Sequence, residues 1–272
     1  MLASTLKEKV SRGQEVVGVM MGLSFWPAYL EICKKEGLDL VVLDLEHGAL
    51  EAPRVEELCR TARLLDLPLI IRPQSCAADL VKRCVDIGAG GLMIPWVETA
   101  EQLDILFNAL YSPPRGRHGM GGPGLFAVDG ITTADWARIE DNLFVMCQIE
   151  TPLGVKFAPQ VAACDWVDAL LVGPYDLACT MGLTDQYLKS PKHLRAIEQV
   201  RDAAHAHLTC AGMVTGTGEE ARAWFDRGFD LILIGDLAGH LAQGLSRNLK
   251  AARPTRRARR PRATRNGRGG KK

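Results

Sequence analysis

Two carboxylates, Glu150 and Asp176, each follow a short apolar run: Val145-Met146-Cys147-Gln148-Ile149 before the first, Leu170-Leu171-Val172-Gly173-Pro174-Tyr175 before the second. Two carboxylates with room for water and substrate oxygens suit a hard divalent cation, Mg²⁺ or Mn²⁺, with Co²⁺ also compatible. The alternative is that each acid caps the helix that follows it. His47 closes a third run, Val41-Val42-Leu43-Asp44-Leu45-Glu46-His47. A carboxylate such as Asp44 can bond one ring nitrogen, fix the tautomer and leave the other nitrogen as a base; a structural histidine is the alternative. Glu46 either holds a metal-bound water or supports Arg72. Arg72 ends a fourth run, Leu69-Ile70-Ile71, and Pro73 holds the chain extended behind it. A buried guanidinium requires an anionic partner. That partner is either structural, such as Glu46, or a substrate enolate or carboxylate, which the planar fork suits. Gly173-Pro174 opens a helix whose first free N–H groups, at Tyr175 and Asp176, could receive a carboxylate. Val214 joins Arg72, Gly173, Tyr175 and Asp176 as an expected substrate contact.

These groups span half the chain, so something must bring them together. Strand signals fall at about 15–21, 38–46, 67–73, 90–97, 144–150, 166–173, 209–215 and 230–236, most of them rich in Val, Leu and Ile. Continuous apolar runs are the mark of parallel strands buried on both faces, with charge appearing where the strand stops. Helical patterns lie between them. Val55, Leu58, Cys59, Ala62 and Leu65 share one face of a helix over 53–66, Pro191 opens another that runs to Leu208, and Gly218-Glu219-Glu220 begins a third with acids in its first turn. Gly37 and Gly88 are expected to end helices in the left-handed conformation.

Eight strands alternating with helices predict an α/β fold, a (β/α)8 TIM barrel, over residues 1–252. In such a barrel all strand C-termini open on one face, where His47, Arg72, Glu150 and Asp176 can converge. A doubly wound open sheet would want a glycine-rich turn after its first strand; here that turn reads Gly22-Leu23-Ser24-Phe25-Trp26. Residues 112–141 read as one long irregular segment on the helix side or reaching toward a neighbouring subunit. Residues 253–272, rich in Arg, Pro and Gly, read as a disordered basic tail.

Other chemistries are set aside. None of the eight strand segments contains a lysine, so a Schiff base within the barrel is not expected. GxSxG and HExxH are absent. The turn Thr215-Gly216-Thr217-Gly218 lies where many barrels bind phosphate, but Glu219 and Glu220 would repel it. His205 and His207 face different ways on a helix and make a poor metal pair. The eight cysteines show no CxxC spacing, and Cys147 and Cys210 read as buried apolar residues, which fits a reducing cytoplasm. No signal peptide or membrane-spanning stretch is read. The net charge of +1 hides a split: residues 251–272 carry ten Lys or Arg and no acid, leaving 23 basic against 32 acidic groups in the body. The tail alone admits a polyanion- or nucleic-acid-binding role; a solvated extension is the alternative.

The stretches Leu43-Asp44-Leu45-Glu46-His47, Ile71-Arg72-Pro73, Met93-Ile94-Pro95-Trp96-Val97, Gln148-Ile149-Glu150-Thr151 and Val172-Gly173-Pro174-Tyr175-Asp176-Leu177 resemble, in order and spacing, the class II (metal-dependent) pyruvate aldolases of the 4-hydroxy-2-oxoheptanedioate aldolase and citrate lyase β family. The resemblance covers nearly all of residues 5–245. It implies a barrel of the phosphoenolpyruvate/pyruvate type and a divalent ion on Glu150 and Asp176. It implies Arg72 on the pyruvate enolate, His47 paired with Asp44 as base, and a hexamer built from dimers that exchange the last helix, here about 238–252. The implied reaction is reversible cleavage of a 4-hydroxy-2-oxo acid to pyruvate and an aldehyde, as in aromatic or sugar acid catabolism. Oxaloacetate decarboxylase or acyl-CoA lyase chemistry on the same enolate site is the nearest alternative. The chain departs from the pattern in the 115–127 loop, where His118-Gly119-Met120-Gly121 and Phe126 replace arginine-bearing stretches linked to substrate recognition or subunit contacts. The basic tail lies outside the pattern.

Overall fold

Valine, isoleucine and leucine dominate the strand segments, and their β-branched side chains favour extended backbone that can be covered on both faces. In the computed structural model, which describes residues 2–23, 25–48, 51–119 and 133–253, eight such strands form. They are Val16–Met21 (β1), Leu40–Asp44 (β2), Leu69–Arg72 (β3), Gly91–Ile94 (β4), Phe144–Ile149 (β5), Ala169–Val172 (β6), Cys210–Thr215 (β7) and Leu231–Asp236 (β8). Each pairs in parallel with its neighbours in chain order, and β8 returns to β1, so the sheet closes as a barrel. The expected strands are all present, one to three residues shorter at most ends.

The helices are Leu2–Ser11 (α1), Pro27–Lys35 (α2), Ala52–Leu64 (α3), Ala78–Asp86 (α4), Ala100–Leu110 (α5), Thr133–Asp141 (α6), Pro152–Ala162 (α7), Pro174–Thr180 (α8), Pro191–Ala206 (α9), Gly218–Phe225 (α10) and Leu237–Ala252 (α11). Gly37 and Gly88 follow α2 and α4 with φ of 84° and 90°, the left-handed geometry expected of them. The segment expected to be irregular over 112–141 is corrected in its last third. Residues 133–141 form α6, anchored by Glu140, whose buried carboxylate accepts the Ser112 N–H at 2.7 Å. The expectations for Met120, Gly121 and Phe126, and for the tail beyond Arg253, fall outside the described residues.

Alternate strand residues point to opposite faces. One face builds the layer beneath the helices, with Val41, Leu43, Ile71, Cys147 and Leu170 among its members. The other fills the barrel: Val16, Leu40, Val42, Ile70, Met93, Phe144, Met146, Ala169, Leu171, Cys210, Leu231 and Leu233 form a separate buried cluster. Leu6 of α1 joins that cluster, and Lys7 and Lys9 pair with Asp168 and Asp39, just before β6 and β2, so α1 covers the end where the strands begin. No sequence signal above marked α1 as a plug. Continuing the inward parity to the other end gives Asp44 after Val42, Arg72 after Ile70, Gln148 and Glu150 after Met146, Gly173 after Leu171, and Val214 after Gly212. The barrel interior is apolar until its last layer, where it turns polar.

Two compact units are distinguished, Met1–Ala238, which holds the barrel, and Gly239–Lys272, whose described part is most of α11 and Arg253. Along α11, Leu241, Leu245 and Leu249 recur every fourth residue and are exposed. Among the described residues, no helix is long and apolar enough to cross a membrane.

Candidate active site

The polar layer is organised by Arg72. The register of β2 against β3 sets Asp44 directly beside it. Arg72 donates from Nε to Asp44 Oδ1 at 2.8 Å and from Nη2 to Oδ2 at 2.7 Å, a bidentate pair, and both side chains are buried. On its other side Nη1 lies 3.0 Å from Glu46 Oε2. Burial opposes charge on Asp44, but Arg72 and the N–H groups of Glu46 and His47 outweigh it and hold the carboxyl below its ordinary range. Burial likewise opposes the guanidinium charge, and the bond to Asp44 with the charges of Asp44, Glu46 and Glu150 raises its pKa instead. A guanidinium carries five N–H groups, so Arg72 keeps donors for a further anion after serving both acids.

Asp44 therefore has a different partner from the one expected. Its carboxylate is filled by Arg72 and accepts the backbone N–H of His47 at 3.4 Å, whereas the imidazole stands clear of it. The His47 side chain is 68% exposed, with Nε2 3.8 Å from Glu46 Oε2. The acid that faces His47 is Glu46, and of the two readings of Glu46 the ion pair with Arg72 is the one seen.

Glu150 follows β5 and is buried. Gln148 Nε2 donates to its Oε1 at 2.5 Å, and the Trp96 N–H donates to its Oε2 at 3.3 Å. Burial, then the negative charges of Asp176 and Glu46, push the Glu150 carboxyl up to about 8, against the opposing help of Trp96 and Arg72. Asp176 sits in the first turn of α8, and Thr180 of that helix donates to the Glu150 carbonyl at 2.9 Å, fastening α8 above the end of β5. Gly173 is required here, because a Cβ on it would collide with Glu150 Oε1. Among the described residues, the N–H groups of Tyr175 and Asp176 have no acceptor. Val214 lies partly buried against the interior cluster, as an inward residue near the end of β7 should.

Two residues carried no role in the sequence reading. Gln148 has a buried Oε1 without a hydrogen-bond partner, and its polarity at an inward strand position was the signal. Trp96 takes φ of 56°, a conformation that costs a bulky residue on the order of 1–3 kcal/mol. Three contacts hold it: Gln102 donates to its carbonyl at 2.9 Å, its N–H reaches Glu150, and its indole Nε1–H donates to Glu46 Oε1 at 3.2 Å. A large aromatic after Pro95, at a strand end, was the available clue.

Other expectations resolve simply. His118 is buried, with its ring nitrogens on Ala109 O and Asp86, so it belongs to the helix layer. Gly216 N–H, in the turn after β7, is taken by Glu220 at 2.8 Å. None of the eight strands carries a lysine.

A divalent cation fits this donor set. Glu150 is buried beside the charges of Asp176 and Glu46, and Glu46 Oε2, buried, has no hydrogen bond despite its ion pair. One guanidinium offsets one of the four acids, and a bound divalent cation would offset two more. Among the described residues no group of three or more His, Cys, Asp or Glu surrounds a common point, and the expected ligand pair is two.

Residues 19–242 match the model of the HpcH/HpaI aldolase/citrate lyase family. The chain belongs to this family. It is 30% identical to a hydroxypyruvate/pyruvate aldolase of Delftia acidovorans, over 93% of this chain and 94% of that one. It is 33% identical to a 4-hydroxy-2-oxovalerate aldolase of Novosphingobium aromaticivorans, over 66% and 68%. The HpcH/HpaI aldolase of Desulfitobacterium hafniense superposes with a TM-score of 0.84 at 30% identity, covering 92% of this chain and 97% of that one. As a member of the HpcH/HpaI family the protein is a carbon–carbon lyase, an aldolase that cleaves 2-oxo acids to pyruvate.

Proposed function

We propose that the protein is a divalent-metal-dependent aldolase that reversibly cleaves a 4-hydroxy-2-oxo acid to pyruvate and an aldehyde through a pyruvate enolate. The observation that carries this reading is Glu150, a buried acid with a raised pKa, set between Asp176 and an Arg72 that has donors to spare. Glu150 and Asp176 would hold the ion, Mg²⁺ or Mn²⁺. When bound, such an ion supplies Lewis-acid polarisation of the 2-oxo group.

The chain's own residues do the rest. Free N–H groups of Arg72 face the C2 oxygen and stabilise the charge that develops there. Asp44, with both oxygens on Arg72, fixes the plane of that guanidinium and so acts on the substrate through it. The N–H groups of Tyr175 and Asp176, beside Gly173, receive the substrate carboxylate, and Val214 walls the C3 side. His47 takes the proton of the C4 hydroxyl; as C4 becomes the aldehyde carbonyl, the C3–C4 bond breaks and its electron pair delocalises from C3 onto the C2 oxygen. Proton return to C3 completes pyruvate.

The test is exchange of the pyruvate methyl protons with solvent deuterium, followed by NMR, before and after EDTA treatment and Mn²⁺ restoration. Full exchange in the stripped protein overturns the metal assignment. Release of pyruvate from oxaloacetate, with no aldehyde cleavage from any 4-hydroxy-2-oxo acid, would favour a decarboxylase.

The same reading extends to assembly and compartment. Residues 1–252 act as one catalytic unit in a hexamer built from dimers, and the exposed leucines of α11 supply an apolar stripe suited to an exchanged helix. Light scattering on Leu245→Glu, expected to fall below the wild-type mass, checks this. Eight free cysteines, most of them buried, support a cytoplasmic setting.

A further inference from the structure

The turns that lead from strand to helix form the mouth of the site. Their described parts comprise residues 22–23, 25–26, 45–48, 51, 73–77, 95–99, 150–151, 173 and 216–217, and β8 passes directly into α11. None of them contains a lysine or an arginine, in a chain with 33. Acids are plentiful there: Glu46, Glu51, Glu98 and Glu150 lie in the turns, and Asp44 and Asp236 end strands. The guanidinium of Arg72 serves Asp44 and Glu46 and keeps its remaining donors for the pyruvate half, and Arg54, in the first turn of α3, is turned onto Glu57. Among the described residues, an anionic acceptor aldehyde would find in this mouth no cation beyond those that serve the pyruvate half, and several repelling charges.

The same turns expose large apolar side chains. Leu23 is 78% exposed, Trp26 59%, Tyr175 57% and Trp96 39%. Trp96 is the best placed of them. Its indole N–H is held by Glu46, the neighbour of His47 and the acid nearest its ring, so the indole stands beside the base that handles the C4 hydroxyl. The aldehyde carbon leaves from that place. The strained backbone of Trp96, fixed by Gln102 and Glu150, holds the ring there.

We infer that the acceptor is an uncharged apolar or aromatic aldehyde seated on the face of Trp96, which determines specificity. This rests on the pyruvate-enolate reading above and names its second substrate class. The mechanism needs no added co-reactant: the aldehyde carbonyl gains the bond to C3 and its oxygen gains a proton.

The Mn²⁺-loaded protein with pyruvate is assayed for carbon–carbon bond formation with benzaldehyde and with succinic semialdehyde. A kcat/KM for benzaldehyde above that for succinic semialdehyde by about tenfold or more is expected, the discrimination a single apolar subsite can supply. Trp96→Ala should reduce that ratio by about tenfold, whereas Trp96→Phe, which keeps a ring face, should hold it within about threefold. The ratio cancels any loss in the enolisation step common to both acceptors, so a merely structural role for Trp96 would leave it unmoved. Equal or better use of succinic semialdehyde by the wild type overturns the inference, as does an unchanged ratio in Trp96→Ala. Deuterium exchange into pyruvate separates the two levels: exchange with the wrong acceptor preference sinks only this inference, and no exchange sinks both.

Discussion

Arg72 and Asp44 meet through two parallel hydrogen bonds of 2.8 and 2.7 Å in the last interior layer of the barrel, each side chain at the same register position on neighbouring strands. Removing one partner of such a pair strands a buried charge. Arg72→Ala is therefore expected to lose about 3–5 kcal/mol of stability, and its inactivity would say little. Arg72→Lys keeps the charge and loses the fork. It should fold with a smaller loss of Tm while pyruvate methyl exchange falls by about 100-fold, the scale of a lost oxyanion donor. Near-wild-type exchange in Arg72→Lys would remove the guanidinium from the chemistry.

Gly173→Ala probes the metal site without touching a ligand. Its new Cβ collides with Glu150 Oε1, so that carboxylate must shift. Mn²⁺ affinity, read by electron paramagnetic resonance of the free ion, should weaken by about 10-fold or more, as when a supporting group of a metal ligand is lost. Unchanged affinity would mean that Glu150 is not a ligand in its observed position.

His47 is mostly exposed, and exposed substitutions shift stability by about 0.5 kcal/mol or less. His47→Asn should leave Tm and pyruvate exchange near wild type and slow retro-aldol turnover by about 100-fold, within the range for a lost general base. Parallel losses in both reactions would place His47 in enolisation instead.

The raised pKa of Glu150 gives the metal-free protein a defined pH response. Between about 4.5, its ordinary value, and about 8, the folded protein holds a proton that the unfolded chain has released. Stability should therefore fall as pH rises through that window and level off above it, by an amount on the order of a few kcal/mol. At pH 7, ion binding should expel close to one proton per site. Calorimetry in two buffers of different ionisation heat measures it; binding with no proton release would show that Glu150 is already charged.

Much of this layout was legible in the chain. The strands were readable because both faces of each are covered, which forces continuous apolar runs, and the charged residues at their ends marked the open face. The partner of Asp44 was not readable. Sequence proximity favoured His47, three positions away, whereas the cross-strand register, a property of barrel closure, set Arg72 beside it. Trp96, part of a stretch that carries the family resemblance, has no role readable from sequence for a related reason: its importance comes from a backbone conformation fixed by Gln102 and Glu150, and a residue type alone does not reveal φ. The plug α1 lacked a pronounced start signal, and its role follows only from which end of the barrel Leu6 enters.

The inward alternation of the strands has a last consequence. Asp44, Arg72, Gln148, Glu150 and Gly173 all occupy the same phase as the aliphatic residues two positions before them or, for Glu150, four. The reactive set is thus addressed by reading frame along the pleat. Inserting one residue ahead of any of these positions within its strand would rotate the reactive side chain into the helix layer and bring an aliphatic neighbour inward, erasing one function while the barrel still closes. Inserting two would restore the phase but lift the group one storey out of the lumen. Length changes in this family's strands should accordingly be far rarer than changes of residue type, and the loops on the opposite face should absorb them.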